Sequence, residues 1–267
     1  MAMIKNENDG KVLLTNHLAL FYNLIKDKFI SRDEIATTQD IEQLFATLQQ
    51  LNTYEKLNEK FQEGGEIKLT NNIIIPAANT TEESRTKITK DAFVDFGDNM
   101  ILVPAELGGS DSSNWAGLYA DGDKITVILN GNEGGIATAT ATENLDCPYC
   151  VGVLNGATVI INGGHYKGSG SAIYVRNGSC IINGGFFEAY PWQNGEKGEL
   201  KPWTLNCQND TYKKGLAHII VRGGTYVNFD PSNPKTDDAE TYVDTNYQVV
   251  SETKSNGDVW YSVVKKN

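Results

Sequence analysis

Two hydrophobic patterns divide the chain. Up to residue 63 the apolar positions follow a helical period. Leu18, Phe21, Leu24, Ile25 and Phe29 recur at spacings that line one face of a helix, and Thr15 or Asn16 stands where an N-cap belongs. After a link at Ser31–Glu34, a run from Thr38 to Phe61 places Ile41, Leu44, Leu48 and Leu51 in an a/d seam of about two heptads. The seam then slips in phase to Tyr54, Leu57 and Phe61, and Gly64-Gly65 ends it. From Gly65 onward the pattern changes to short β-branched runs separated by Gly and Asn, at residues 66–70, 72–76, 92–97, 100–104 and 124–131. Such runs read as strands, and no stretch between Gly65 and Asn267 reads as a helix.

The strand region repeats. Residues 153–166 (VLNGATVIINGGHY) match residues 175–187 (VRNGSCIINGGFF), and a weaker copy runs from Cys207 to Tyr226. The alignment sets Cys207 against Val175 and Val153, and His165 against Phe186. Successive Gly-Gly pairs at 163/164, 184/185 and 223/224 mark one corner, the longer second spacing holding an insertion at roughly residues 188–203. A unit of ~20 residues with two or three short strands cannot bury its apolar face alone, but stacked copies bury a continuous core. That is the logic of a parallel β-helix. An antiparallel sandwich is the alternative, and it offers no reason for one segment to recur in the same phase.

An open β-helix end is an exposed sheet edge. The helical segment precedes one end. At the other, residues 247–252 and 259–264 flank Ser255-Asn256-Gly257-Asp258 and predict a capping hairpin. The expected architecture is therefore mainly β: a parallel β-helix over 64–228, preceded by an α-helical anchor (1–35) and a short coiled-coil neck (36–63), and closed by a C-terminal β-hairpin cap (229–267).

Composition agrees with this division. The chain has 267 residues with 26 Gly and only 7 Pro. It also has 26 Asn, and Gly and Asn are the residues that accept a positive φ cheaply. Only Gly10 precedes Gly64, so the turn formers belong to the strand region. A net charge of −11 argues against nucleic acid as a partner and against an anionic membrane surface. No apolar run approaches a membrane span, and the first residues lack the pattern of an export signal.

The coil pattern resembles the right-handed parallel β-helix proteins of the pectate-lyase-like class. That class holds lyases, hydrolases, adhesins and phage spikes, so the resemblance speaks to fold more than to function. Residues 12–29, with Leu18, Phe21, Leu24, Ile25 and Lys26, are similar to the segment that opens many fibre, spike and head-decoration proteins of tailed phages infecting gut bacteria. The resemblance implies virion attachment through this segment and a homotrimer, with Ile41, Leu44, Leu48 and Leu51 as oligomer contacts. The residues from Gly223 to the final hairpin also resemble the close of β-helical surface proteins of gut bacteria and their phages.

Candidate chemistry is sparse. Cys147-Pro-Tyr-Cys150 matches a redox string, but strand and turn follow it where the dithiol needs a helix N-terminus. A zinc site from Cys147, Cys150, Cys180 and Cys207 lacks a second close pair. His17, His165 and His218 have no nucleophile at a suggestive spacing. Asp95, Asp98, Asp121, Asp123, Glu133, Asp146 and Glu188 are the acids a glycosidase or a calcium site would draw on, and solvated turns are their default reading. Three glycosylation-like strings, at Asn79, Asn177 and Asn209, read as turns in a chain without an export signal. No catalytic residue, metal or cofactor is expected.

Binding has better candidates. The 188–203 insertion carries Tyr190, Trp192 and Trp203 with Gln193 and Asn194, and residues 108–122 carry Trp115 and Tyr119. Loops projecting from a rigid scaffold commonly hold function, and flat aromatic faces suit sugar rings. The same rings serve equally well packed beneath the loops or at a trimer interface. The expected function is a structural virion protein, a head fibre, decoration protein or tail fibre, assembled in the host cytoplasm. It would contact capsid or other virion proteins through its N-terminal segment and host or mucosal glycans through its loops. A tail-spike polysaccharide hydrolase or lyase and a bacterial surface adhesin are the alternatives.

Overall fold

The computed structural model describes residues 53–77, 85–107, 115–139, 148–190, 203–234 and 239–267. The chain divides into two units, residues 1–49 and 50–267, and the described residues all belong to the second. The anchor and seam candidates Leu18, Phe21, Leu24, Ile25, Ile41, Leu44, Leu48 and Leu51 lie outside the described residues, as does Trp192.

The second unit is mainly β and built from parallel sheets. The first sheet holds β1 (Gly65–Lys68), β4 (Ala92–Asp95), β7 (Thr126–Asn130), β10 (Ala157–Ile161), β13 (Gly178–Ile182) and β16 (Ala217–Val221). The second holds β2 (Ile73–Ile74), β5 (Met100–Val103), β8 (Gly135–Thr138), β11 (His165–Ser169), β14 (Phe186–Tyr190) and β17 (Thr225–Val227). The third holds β3 (Lys87–Ile88), β6 (Ala116–Asp121), β9 (Tyr149–Leu154), β12 (Ile173–Val175) and β15 (Leu205–Cys207). Every third strand thus joins the same sheet, and each set of three successive strands forms one rung. The hairpin β18 (Tyr247–Thr253) and β19 (Val259–Lys265) is antiparallel and extends the second sheet by pairing β19 with β17.

The sequence repeat is the rung register. Val153 pairs with Val175 and Val175 with Cys207, while His165 pairs with Phe186. Inward side chains therefore pile into columns. Tyr166, Phe187 and Tyr226 stack nearly parallel, at centroid separations of 5.1 and 5.0 Å. This is close to the ~4.8 Å between neighbouring strands, so the ladder spacing itself sets the ring contact. The hydroxyls of Tyr166 and Tyr226 donate to the carbonyls of Gly163 and Gly223, each at 3.0 Å, so the column buries no orphan polar group.

The corner between the first and second sheets explains the Asn-Gly-Gly strings. Asn183 Nδ2 donates to Asn162 Oδ1 at 2.9 Å, and Asn162 Nδ2 donates to Asn130 Oδ1 at 3.1 Å, making an amide ladder along the rungs. The next residue must be glycine because the corners touch. A Cβ on Gly184 would sit 2.6 Å from the Asn162 carbonyl oxygen, and one on Gly223 would sit 2.1 Å from that of Asn183. The second glycine of each pair takes a positive φ, 99° at Gly164 and 116° at Gly185. The ladder reaches one rung further back than the sequence repeat indicated, to Asn130-Gly131. That corner is longer by Asn132 and Glu133, which hid it from alignment.

Three sequence expectations need correction. Helix α1, described from residue 53 to residue 63, buries Tyr54, Leu57 and Phe61 in the same apolar cluster as Ile67 and Ile88. The slipped half of the supposed neck therefore packs on the β core, and the Tyr54 and Thr86 hydroxyls share a hydrogen bond at 3.1 Å. A short helix, α2 (Asn209–Lys213), occurs where none was expected. It also splits the insertion. β14 runs through Tyr190, and the extra length lies in residues 191–204 and again in 208–216.

Candidate binding surface

Period-two alternation turns every other residue of the second sheet outward. Between the buried Tyr166 and Phe187, strands β11 and β14 present His165 and Lys167, and Phe186, Glu188 and Tyr190. These outward residues are half-buried and meet across the rungs. His165 and Phe186 lie 5.3 Å apart between ring centroids, and Phe186 meets Trp260 edge-on at 4.9 Å. Trp260 reaches this row because β19 returns antiparallel, pairing Trp260 with Val227. Lys254 Nζ sits 4.4 Å from the Trp260 ring centroid and 2.6 Å from Glu252 Oε2.

A histidine–carboxylate contact and a lysine–glutamate ion pair flank the rings. Glu133 Oε2 is 3.5 Å from His165 Nε2, so the two residues that lengthen the Asn130 corner supply this carboxylate. Lys167 Nζ lies 3.1 Å from Glu188 Oε2 and 4.9 Å from the Tyr190 ring centroid. Exposed pairs of this kind contribute about 0–1 kcal/mol each to stability. Their larger effect is to hold the rings and charges in place on a rigid sheet.

The four candidate rings fare differently. Tyr190 stands on the outer face with Lys167. Trp203 is half-buried, and its backbone N–H donates to Gly170 at 3.1 Å. Trp115 is 4% exposed and part of the main core cluster, with the Arg85 guanidinium 5.7 Å from its ring centroid. Trp115 is therefore a packing residue rather than an exposed platform. Trp192 lies outside the described residues.

Sequence reasoning missed a second cluster. Tyr119, Tyr149 and Tyr174 are buried with Ala116 in a group separate from the main core, on the other face of the third sheet. Tyr149 and Tyr174 stack at 4.7 Å, and Tyr119 lies against Gly152, where a Cβ would come within 2.3 Å of its ring. Both faces of β6, β9 and β12 are thus buried, which the nearly continuous apolar run of residues 149–154 could have signalled.

Several of the other candidates are tied up locally. Asp95 accepts the Gly97 N–H at 3.0 Å, and Asp121 accepts from Asn155 Nδ2 at 2.6 Å. The Cys150 thiol donates to the Ile136 carbonyl at 3.2 Å, and burial pushes Cys180 up to about 12, so neither supplies a reactive thiolate near neutral pH. Cys147 and Asp146 lie outside the described residues. Among the described residues no group of three or more His, Cys, Asp or Glu is placed to hold a metal, and no helix is long and apolar enough to cross a membrane. Compared with family models, with characterised proteins and with solved structures, the chain matches none.

Proposed function

We propose that the three sheets are the faces of a right-handed parallel β-helix, covered at one end by α1 and at the other by the β18–β19 hairpin. On this reading the chain is a non-enzymatic fibre or decoration protein of a tailed phage. Residues 1–35 attach it to capsid or other virion proteins, residues 36–52 bring copies together as a homotrimer, and the β region displays a face for host or mucosal glycans. The observation that carries the reading is the half-buried row His165–Phe186–Trp260 with Tyr190, set outward on a sheet whose opposite face is a fully packed column. A rigid ladder suits a protein that must project from a particle, and rings beside paired Lys and Glu side chains suit sugars, whose faces are apolar and whose edges hydrogen-bond. Asp95 and Asp121, each engaged in a local hydrogen bond, favour binding over hydrolysis.

Two measurements test this. Sedimentation of the full chain should give three times the 29.3 kDa protomer mass, and a clean monomer at micromolar concentration would refute the trimer. Mass spectrometry of purified particles should find the chain with capsid or tail proteins, and its absence from particles would refute the virion role.

A further inference from the structure

At the hairpin end a chain of net charge −11 gathers cations around one concavity. Arg222, Asp244, Asn246, Tyr247, Lys265 and Lys266 line an open depression of about 620 Å³. Arg222 takes the corner position that follows Asn183 in the amide ladder. A bridge between Val221 and Val243 sets Asp244 beside it, and Asp244 N–H donates to the Val221 carbonyl at 2.9 Å. Arg222 Nε then contacts Asp244 Oδ2 at 2.9 Å, while its terminal nitrogens make no hydrogen bond or ion pair among the described residues.

The facing wall is equally fixed. Tyr247 pairs with Lys265 across the hairpin, and Lys266 N–H donates to the Asn246 carbonyl at 2.9 Å. Lys266 Nζ donates to the Thr245 carbonyl at 2.8 Å. Three cationic side chains thus surround one carboxylate that is already engaged. The balance stays positive even with a backbone carboxylate at Asn267, which also lines the depression. The volume falls in the range of small-ligand sites, about 300–1,000 Å³. An extended polyanion would be repelled by the chain as a whole, whereas a single small anion meets only the local positive field.

We propose that this depression binds the carboxylate of an acidic sugar residue, a uronate or sialate. The free fork of Arg222 grips the carboxylate, Lys265 and Lys266 supply charge, and Asn246, Tyr247 and Asn267 meet the ring hydroxyls. The inference rests on the reading of the protein as a glycan binder and adds the class of sugar.

Calorimetric titration of the full chain tests it, using 3′-sialyllactose, a glucuronate-terminated oligosaccharide, lactose and inorganic phosphate, alongside a panel of neutral host glycans. At least one acidic sugar should bind more than about tenfold tighter than lactose, and the binding should weaken with salt. Lys265→Gln/Lys266→Gln should lose most of that affinity with an unchanged melting temperature, and Arg222→Lys should lose part of it by removing the fork. Equal affinity for lactose, or phosphate binding as tightly as the acidic sugars, would overturn the proposal. Binding of neutral glycans alone, abolished by Trp260→Ala, would refute the acidic site and leave the glycan reading standing. No binding to any saccharide would refute both.

Discussion

Strands β11 and β14 carry two aromatic stacks one residue out of phase. Tyr166 and Phe187 face inward and continue to Tyr226; His165 and Phe186 face outward and continue to Trp260. The inner rings lie within 11° of parallel, while the outer contacts open to 37° and 69°. The inner rings are sealed and hold the strand register. The outer rings keep open surface, carry charged neighbours and lie under no other strand among the described residues. The same ladder that requires the inner column merely permits the outer one, so an aromatic row on the outside asks for a reason other than folding.

Substitutions can break or sharpen this contrast. Phe187→Ala should cost the most, about 3–5 kcal/mol, because it opens a cavity between Tyr166 and Tyr226. Denaturant unfolding measures it, and a loss below about 1 kcal/mol would show that the inner column does not organise the core. Gly223→Ala should come next. Its methyl meets the Asn183 carbonyl oxygen at 2.1 Å, so the corner must shift, at a cost of about 1–3 kcal/mol. Asn162→Ala removes the middle of the amide ladder and leaves Asn130 and Asn183 each short of a partner. Because the ladder is exposed, about 0.5–1.5 kcal/mol is expected, read as a lowered melting temperature.

The smallest effect should be a pH dependence at the hairpin end. The Asn246 backbone N–H and then the Arg222 guanidinium hold the Asp244 carboxyl below the ordinary carboxylate range. A lowered folded value means that this clamp contributes fully above the unfolded carboxylate range and fades as pH falls through the lowered folded value. Hydrogen-exchange protection along β18, taken relative to the intrinsic rate at each pH, should fall at acid pH in the native chain. In Asp244→Asn the extra acid sensitivity should be absent.

Much of the strand register was legible. A period of ~20 residues with Asn-Gly-Gly at one corner aligns His165 with Phe186 and Val153 with Val175 and Cys207, and those are the pairs the sheets make. The outer surface was less legible for physical reasons. Trp260 joins Phe186 only through an antiparallel return, which a parallel repeat cannot announce. Glu133 reaches His165 from an enlarged corner that breaks the repeat. Trp115 lies in a polar, glycine-rich stretch that reads as an open loop, yet its ring is in the core. The tyrosines at 119, 149 and 174 cover the second face of a sheet whose first face already accounts for its apolar pattern.

The most direct test compares neighbouring residues. Phe186→Ala and Phe187→Ala should be made side by side, with melting temperature and glycan-array binding measured for both. Phe187→Ala should melt many degrees lower. Phe186→Ala should stay within a few degrees of the wild-type chain and lose its binding to neutral glycans. If Phe186→Ala melts as low as Phe187→Ala, the outer row is part of the fold, and if it binds neutral glycans as the wild-type chain does, the row is no glycan site; either result contradicts the proposed division between the two faces.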